Sequence, residues 1–594
     1  MRASSPRVRA TLAAVAVAAA AGLAGCGWGE EEPAVPNAPQ AQRGGTLTVL
    51  GVDAPTGVDP HRVAGPAAAM LHAIAHRTPY THRPGDDEAV ADLAEGAPEV
   101  SEDGRTVTVG LRAGARFGPD GETITADDVE HGLERALADP VAGPPARRLL
   151  GDLVGLPPQV GDWRDVQGIE ALDARTLELR LERPSASLAI AALATPAATP
   201  LPADEPRVPG PLPPDAVAYA GPYLPRDRLP ADERGEEPLG RAEAGAGQRL
   251  VPAVPAGALT LVRNPEWEAA ATPTPAYVER VVVGRGEGGG AATSVLDGSR
   301  ALWAGENVPA DVLRRAERRP TPQLVQVGVP VTRFVALNAA RAPFDDRLVR
   351  RAAVAALDRV ALWEAAGGRG EPASHWLPPG VPGHDRSGGS EGLGVAHLPP
   401  AADPGLAAEL LRRAGFAEGR YEGPPIRALA ADLEPERAVA REVVRQLEGA
   451  GFEVDLELTA PRDVEARCQA PDTDISLCPG AALASPEGEP GAILRAGFGG
   501  APQGAAAEPW SHLDAPLVDL AIAEALAARE SRRPRAWADV NRAVAQEAAG
   551  APWRWDERPL LRARDVRGVV DERRGTWALG WIWLGSDAEQ DRVR

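Results

Sequence analysis

The sequence predicts a mixed α/β protein built as two or three globular units, and three observations carry that expectation. The chain has 594 residues, more than one compact core accommodates. Hydrophobic residues make up 44% and charged residues 25% of it, the balance of an ordinary folded protein rather than a disordered one. Strand-like alternations bounded by turn residues are interleaved with helix-like segments, beginning with the alternating GGTLTVL from Gly44.

The amino end reads as an export signal. Arg2, Arg7 and Arg9 precede an apolar run from Ala10 to Ala21, too short for a bilayer span of about 20 residues. The run closes on Leu23-Ala24-Gly25-Cys26, the lipobox pattern, in which small residues fit the signal peptidase and the Cys26 thiol is acylated. A lipoprotein signal peptide over 1–25 and lipid attachment at Cys26 are expected, with the mature chain on the outer face of the cytoplasmic membrane. Acyl chains at about 0.8 kcal/mol per buried methylene supply the anchorage. Residues 26–43 are acidic and proline-rich, the composition of a solvated tether. No later stretch has the roughly 18 uninterrupted apolar residues of a transmembrane helix.

Composition removes several classes of function. The formal net charge is -21, which disfavours nucleic acid as a partner. All 63 basic residues are arginine. Without lysine there is no P-loop nucleotide site, no pyridoxal-phosphate Schiff base and no Ser-x-x-Lys acylation site. The same bias fits a GC-rich coding sequence and says nothing of mechanism. With Cys26 acylated, Cys468 and Cys478 remain as a pair in ARCQAPDTDISLCPG. No histidine stands near them, so a disulfide is expected rather than a zinc site.

The segment ADLAEGAPEVSEDGRTVTVGLRAGARFGPDGETITADDVEHGLERAL, from Ala91 to Leu137, predicts a short helix and then a hairpin turning at Glu102-Asp103-Gly104. A second turn at Pro119-Asp120-Gly121 leads to a helix capped by Thr125, with Asp127 and Asp128 in its first turn. Further on, PFDDRLVRRAAVAALDR predicts a helix after Pro343 that places Val349, Ala353 and Ala356 on one face.

The segment from Ala91 to Leu137 resembles, in order, the signature of the extracellular solute-binding proteins of family 5, the oligopeptide, dipeptide and nickel binders of ABC importers. The resemblance continues through IEALDARTLELRLERPSASL from Ile169, AGPYLP from Ala220, LTLVRNPEW from Leu259 and LNAARAPFDDRLVRRAAVAALDRVAL from Leu337. It resumes at ADPGLAAELLRRAGF from Ala402, PWSHLDAPLVDLAIAEAL from Pro509 and WADVNRAVAQEAAGAPWRW from Trp537. It implies a two-lobed periplasmic-binding-protein-like α/β fold, type II in its large three-domain variant, with a hinged ligand cleft. On that map lobe I takes 44–76, 173–325 and 551–594, an extra domain takes 77–172, and lobe II takes 326–550, so the chain crosses between lobes twice. The implied function is capture of a small peptide or other small polar solute by hinge closure. Delivery to ABC permease subunits is implied, by a monomer that is no enzyme and carries no cofactor.

Two departures stand out. Pro225 to Ala256 is longer and richer in Pro and Gly than the family's hairpin and reads as an exposed loop. After Cys478, where relatives carry a tryptophan and acidic residues and peptide binders hold the ligand's ammonium, this chain has PGAALASPEGEPGAILRAGFGG. Glu487 and Glu489 are the substitutes in reach.

Other motifs have plainer readings. Gly284 to Gly289 fits G-x-G-x-x-G after the strand-like VERVVVG, and a strand-to-helix turn explains it. Gly388 to Gly392 fits G-x-S-x-G around Ser390, but its flanks are loop-like where a hydrolase needs strand and helix. A secreted serine hydrolase and a non-transport surface receptor are the competing functions. His61, His72, His76 and His82 lie close in sequence, yet no glutamate follows His72, and packed or exposed histidines are expected rather than a metal site. Among 13 tryptophans, Trp303, Trp376 and Trp510 are candidates for an aromatic wall in the cleft, with Arg495 as an anion partner.

Overall fold

The computed structural model describes residues 41 and 43–585 apart from 53–58, 64, 87, 119–120, 205–206, 208, 214–215, 230–257, 268–271, 287–289, 306, 390–400, 486–487 and 501–508. The signal peptide, Cys26, nearly all of the tether, Ser390, Glu487 and most of the segment from Pro225 to Ala256 lie outside the described residues. The described residues belong to one compact unit, Gln40–Arg594.

The alternating TLTVL forms β1 (Thr46–Leu50), with Leu47 and Val49 fully buried. It lies parallel between β2 (Arg280–Gly284) and β3 (Ala301–Trp303). Val281, Val282 and Val283 are all buried, which is why this strand is an unbroken valine run: it lies inside the sheet, parallel to β1 and antiparallel to Leu259–Arg263, and is covered on both faces. Then come β4 (Leu324–Leu337), β5 (Leu477–Ala484) and β6 (Gly550–Arg562). All belong to one eleven-stranded sheet, whose order begins Val454–Thr459, Ile426–Ala431, β5, β4, β6, β3, β1 and β2. It ends on Leu259–Arg263 and Tyr223–Pro225. The long antiparallel pair β4 and β6 runs through the middle and joins the two halves. The expected lobe borders at 326 and 550 fall on these two strands, and the chain passes from one half to the other along each.

A second sheet of four strands is built from Glu99–Val100, Thr106–Gly110, Thr176–Arg180 and Ile169–Asp173. The expected border at 172 cuts this sheet, because the last two strands are the arms of one hairpin and the second cannot be parted from the first. The expected short helix after Ala91 is absent among the described residues. Ala89–Ala91 is a strand, and Ala94 bridges to Leu111 before Gly96 and Pro98 interrupt the chain.

The helices carry their sequence signals. α1 (Gly65–Ala75) sets Met70, Leu71 and Ile74 into the core of the β1 half. α2 (Ala126–Ala138) begins at Thr125, whose N–H donates to the Asp128 carboxylate at 2.7 Å. α3 (Gly143–Leu150) follows with Pro in its first turn. α4 (Arg347–Ala356) starts where Asp346 accepts from the Leu348 N–H at 2.7 Å, and it buries Val349, Ala353 and Ala356 as the spacing predicts. α5 (Pro490–Phe498) is capped by Glu489. One large apolar core joins the four-stranded sheet and α2 to Phe334, Trp376, Phe498, Trp510 and Trp537 of the other half.

Candidate functional site

The site begins with a fault in the central strand pair. Gly328 stands opposite Glu557 and Thr332 opposite Trp555, so Val329, Pro330 and Val331 face Asp556 alone. Pro330 has no N–H to give the ladder, and the surplus residues bulge out of it. Two cavities open at this fault and share His82, Val329, Pro330 and Arg573 as lining.

The first cavity, about 330 Å³, is acidic: Asp86, Glu371, Asp556, Glu557, Asp571 and Glu572 line it against Arg83 and Arg573. Asp556 is held by Arg333 Nε at 2.8 Å and Arg554 Nε at 2.7 Å. Asp571 is held by Arg574 at 2.6 Å. Trp555 closes the inner wall, only 2% exposed, with the rings of His375 and His384 packed edge-on against it at 5.0 and 4.9 Å. Gly488, at φ +71°, lines the same cavity; a Cβ there would run into the Arg573 guanidinium.

The second cavity, about 400 Å³, has no carboxylate among the described residues of its lining. Arg558, Arg573 and Arg574 supply its charge, and Val63, Ala69, Ala146, Leu149, Ala197 and Val331 are among its apolar walls. α1 contributes from the β1 half, α3 from the unit of the four-stranded sheet and Ala484 of β5 from the other half, so the cavity lies where three parts of the chain meet. His82 lines both spaces. Burial first, then the Arg573 and Arg574 guanidiniums, push its imidazole down to about 3, so it is neutral at physiological pH. Both volumes fall in the usual range of small-molecule sites, roughly 300–1,000 Å³.

Of the four residues expected to form the ligand wall, Trp376 and Trp510 meet on Phe334, Trp303 and Arg495 lie elsewhere, and none lines either cavity. Trp376 is fully buried against Phe334 and Phe498 at centroid distances of 5.1 and 4.3 Å. Trp510 packs edge-on to the same Phe334 at 6.2 Å. Trp303 donates its Nε1–H to the Asn307 carbonyl at 3.1 Å, and its ring fills the space beside Gly51 and Gly305. Arg495 is spent on Asp152, which it grips through two bonds of 2.7 and 2.8 Å in a buried pair between α5 and the loop after α3. Trp376 and Trp510 thus serve the core, Trp303 is partly buried beside it, and Arg495 is committed to an ion pair. Glu489 is buried too, accepting from the Gly491 N–H as the cap of α5. Cys468, ending the helix Pro461–Cys468, and Cys478 on β5 are joined in a disulfide.

The other singled-out motifs also settle into scaffold positions. Gly284 ends β2 and a helix begins at Ala291, a strand-to-helix turn as read from the sequence. His61, His72 and His76 are buried. His72 stacks on His76 at 5.3 Å and its Nε2 lies 2.8 Å from Thr199 Oγ1. His61 Nε2 lies 3.0 Å from the Thr199 carbonyl, and its Nδ1 is 2.9 Å from the Arg135 guanidinium. Burial, with Arg135 next, drives His61 down to about 3. Among the described residues no group of three or more His, Cys, Asp or Glu is placed to hold a metal ion.

The cavity residues that sequence reasoning missed are Val329-Pro330 and the charged runs WDER at 555–558 and DERR at 571–574. The one usable signal was proline inside an otherwise continuous strand pattern, which marks a bulge.

Comparison with known proteins fits this geometry. The profile of the bacterial extracellular solute-binding proteins, family 5 Middle, matches residues 88–487. The fold is shared with a solved structure named clavulanic acid biosynthesis oligopeptide binding protein 2, at TM-score 0.69 and 24% identity, covering 92% of this chain and 96% of that one. It is shared with the ABC transporter-associated periplasmic binding protein DppA from Helicobacter pylori in complex with peptide STSA, at TM-score 0.65 and 16% identity, over 92% and 99%. Haemophilus influenzae OppA in complex with RPPGFSPFR matches at TM-score 0.62 and 16% identity, over 92% and 100%. Among curated protein sequences no match was found. A two-lobed α/β scaffold with a cleft at paired crossover strands defines a solute-binding protein. The chain belongs to the bacterial extracellular solute-binding proteins of family 5.

Proposed function

We propose that this protein captures a small peptide or related small polar solute outside the cytoplasm and presents it to the permease subunits of an ABC importer, without catalysing a reaction. The observation that carries the reading is the pair of cavities at the strand fault, one lined by carboxylates and the other by arginines. A zwitterionic solute matches that polarity end for end. Because β4 and β6 pass between the halves at this point, bending there would open or close the walls around a ligand, the hinge closure that bilobal binders use. That structures sharing this fold include a peptide-bound DppA and a peptide-bound OppA favours a peptide.

The lipobox at Cys26 supports acyl anchorage to the outer face of the membrane. Among the described residues no helix is long and apolar enough to cross a bilayer. The disulfide between Cys468 and Cys478 suits an oxidising compartment.

Thermal unfolding of the purified protein against di- to pentapeptides, nickel and common cationic solutes tests the reading. A ligand that prefers the folded state raises the midpoint, by the equivalent of about 2.7 kcal/mol at a hundredfold excess over Kd. A rise confined to peptides is expected. A rise with nickel alone, or with nothing in the panel, would overturn the peptide assignment.

A further inference from the structure

The unit of the four-stranded sheet is joined by the chain to the β1 half alone. α1, set in the core of that half, leads into it, and the chain returns to the large sheet at the strand Tyr223–Pro225, which pairs with Leu259–Arg263. Two ion pairs repeat the attachment. Arg135 of α2 holds Asp59 at 2.8 Å with side chains 1% and 7% exposed, and Asp139, at the end of α2, accepts from Arg62 at 2.8 Å. Bending at β4 and β6 therefore carries this unit along with the β1 half.

The same unit nevertheless grips the other half, to which no chain segment links it directly. Arg495 of α5 holds Asp152, after α3, through two parallel bonds of 2.7 and 2.8 Å, both side chains buried. Arg183 lies 3.5 Å from the same carboxylate, and Ser185 hydrogen-bonds to it. Nearer the solvent, Arg148 on α3 pairs with Glu465 of the helix Pro461–Cys468 at 2.9 Å, both exposed. Gly491 of α5 approaches the helix Ala186–Ala192 so closely that a Cβ would stand 2.9 Å from Leu188 Cδ2, and glycine permits that approach. A buried ion pair repays its desolvation only when its geometry is good and the remaining lone pairs are satisfied, and Asp152 meets both conditions. When the halves part, water takes the place of each partner, so the pair releases without stranding a charge.

We propose that Asp152 and Arg495, with Arg148 and Glu465 at the rim, form an ionic latch that holds the two halves closed in the absence of solute. None of the four residues lines either cavity. The latch thus sets the balance of open and closed forms without touching what is bound, and a solute meets a chain already biased toward its closed form. The inference rests on the hinge of the solute-binding reading but not on the identity of the solute.

Small-angle X-ray scattering of the full-length protein without solute tests it. Asp152→Arg sets a second guanidinium against Arg495 and Arg183, and is expected to enlarge the radius of gyration while a cooperative unfolding transition persists. The swap Asp152→Arg/Arg495→Asp is expected to bring the radius back toward that of the unaltered chain. Should Asp152→Arg fail to fold, the neutral pair Asp152→Asn/Arg495→Met carries the test, with a smaller increase expected. An unchanged radius in a folded variant, even with faster amide exchange in α5, would overturn the latch and reduce the pair to local packing. A radius that stays enlarged in the folded swap would also overturn it, since charge would then not be what holds the halves together. The solute-binding reading stands or falls separately, on the thermal panel.

Discussion

Histidine burial sets how single residues answer to pH. His61, His82 and His375 are driven down to about 3 and His72 well below its ordinary value, burial being the largest cause in each. In the unfolded chain each returns to about 6.5. Between those limits the unfolded state binds protons that the folded state refuses, so their contribution is fully present above about pH 6.5 and is lost as pH falls toward 3. His61 alone gives a slope approaching about 1.4 kcal/mol per pH unit in that window. Glu134 works against them: burial raises it to about 7, so its contribution is present below its unfolded value and lost as pH rises through 7. Four groups outweigh one. Urea midpoints are expected to fall between pH 7 and pH 4.5; a flat or rising profile would mean that these imidazoles are solvated. The sequence showed the cluster of histidines but not its role, because whether an imidazole is buried depends on partners such as Thr199 and Arg135, far along the chain.

At the scale of elements, helices and strands were legible where local chemistry decides them. Asp346 before α4, Thr125 before α2 and the valine run of β2 all declared themselves in sequence. The candidate site was not, since its walls come from a strand fault, a turn at 571–574 and two helices that local patterns do not connect. Arg495 illustrates the limit: its partner Asp152 stands 343 positions away. That pair ties α5 to the loop after α3 with side chains only 5% and 3% exposed. Arg495→Met leaves the buried Asp152 carboxylate with only the more exposed Arg183, 3.5 Å away, as counter-charge, and is expected to cost about 3 kcal/mol in urea unfolding at pH 7. Adding Asp152→Asn to that variant is expected to restore much of the loss, because the stranded charge goes with it. A cost under about 1 kcal/mol for Arg495→Met would show that the pair is hydrated.

For the whole molecule, the motif string from Ala91 onward was enough to expect the two-lobed fold, and the profile match over 88–487 covers that string except its last two segments, from Pro509 and Trp537. Its borders were less legible, because β4 and β6 belong to both halves and no residue along them marks a change of lobe. That sharing also places the candidate site: β4, one of the strands that carry the chain between halves, bulges at Val329-Pro330 against β6, and the cavities open there. On the proposed reading, opposite charge in adjoining cavities selects a solute with opposite ends. The most direct measurement is a calorimetric titration of the protein with one short peptide in two forms, both ends free and both ends blocked by acetyl and amide groups. Saturable one-to-one binding of the free form, at least about tenfold tighter than the blocked form, is expected. Equal binding of the two forms, or none by either, would contradict capture of a zwitterionic solute in this cleft.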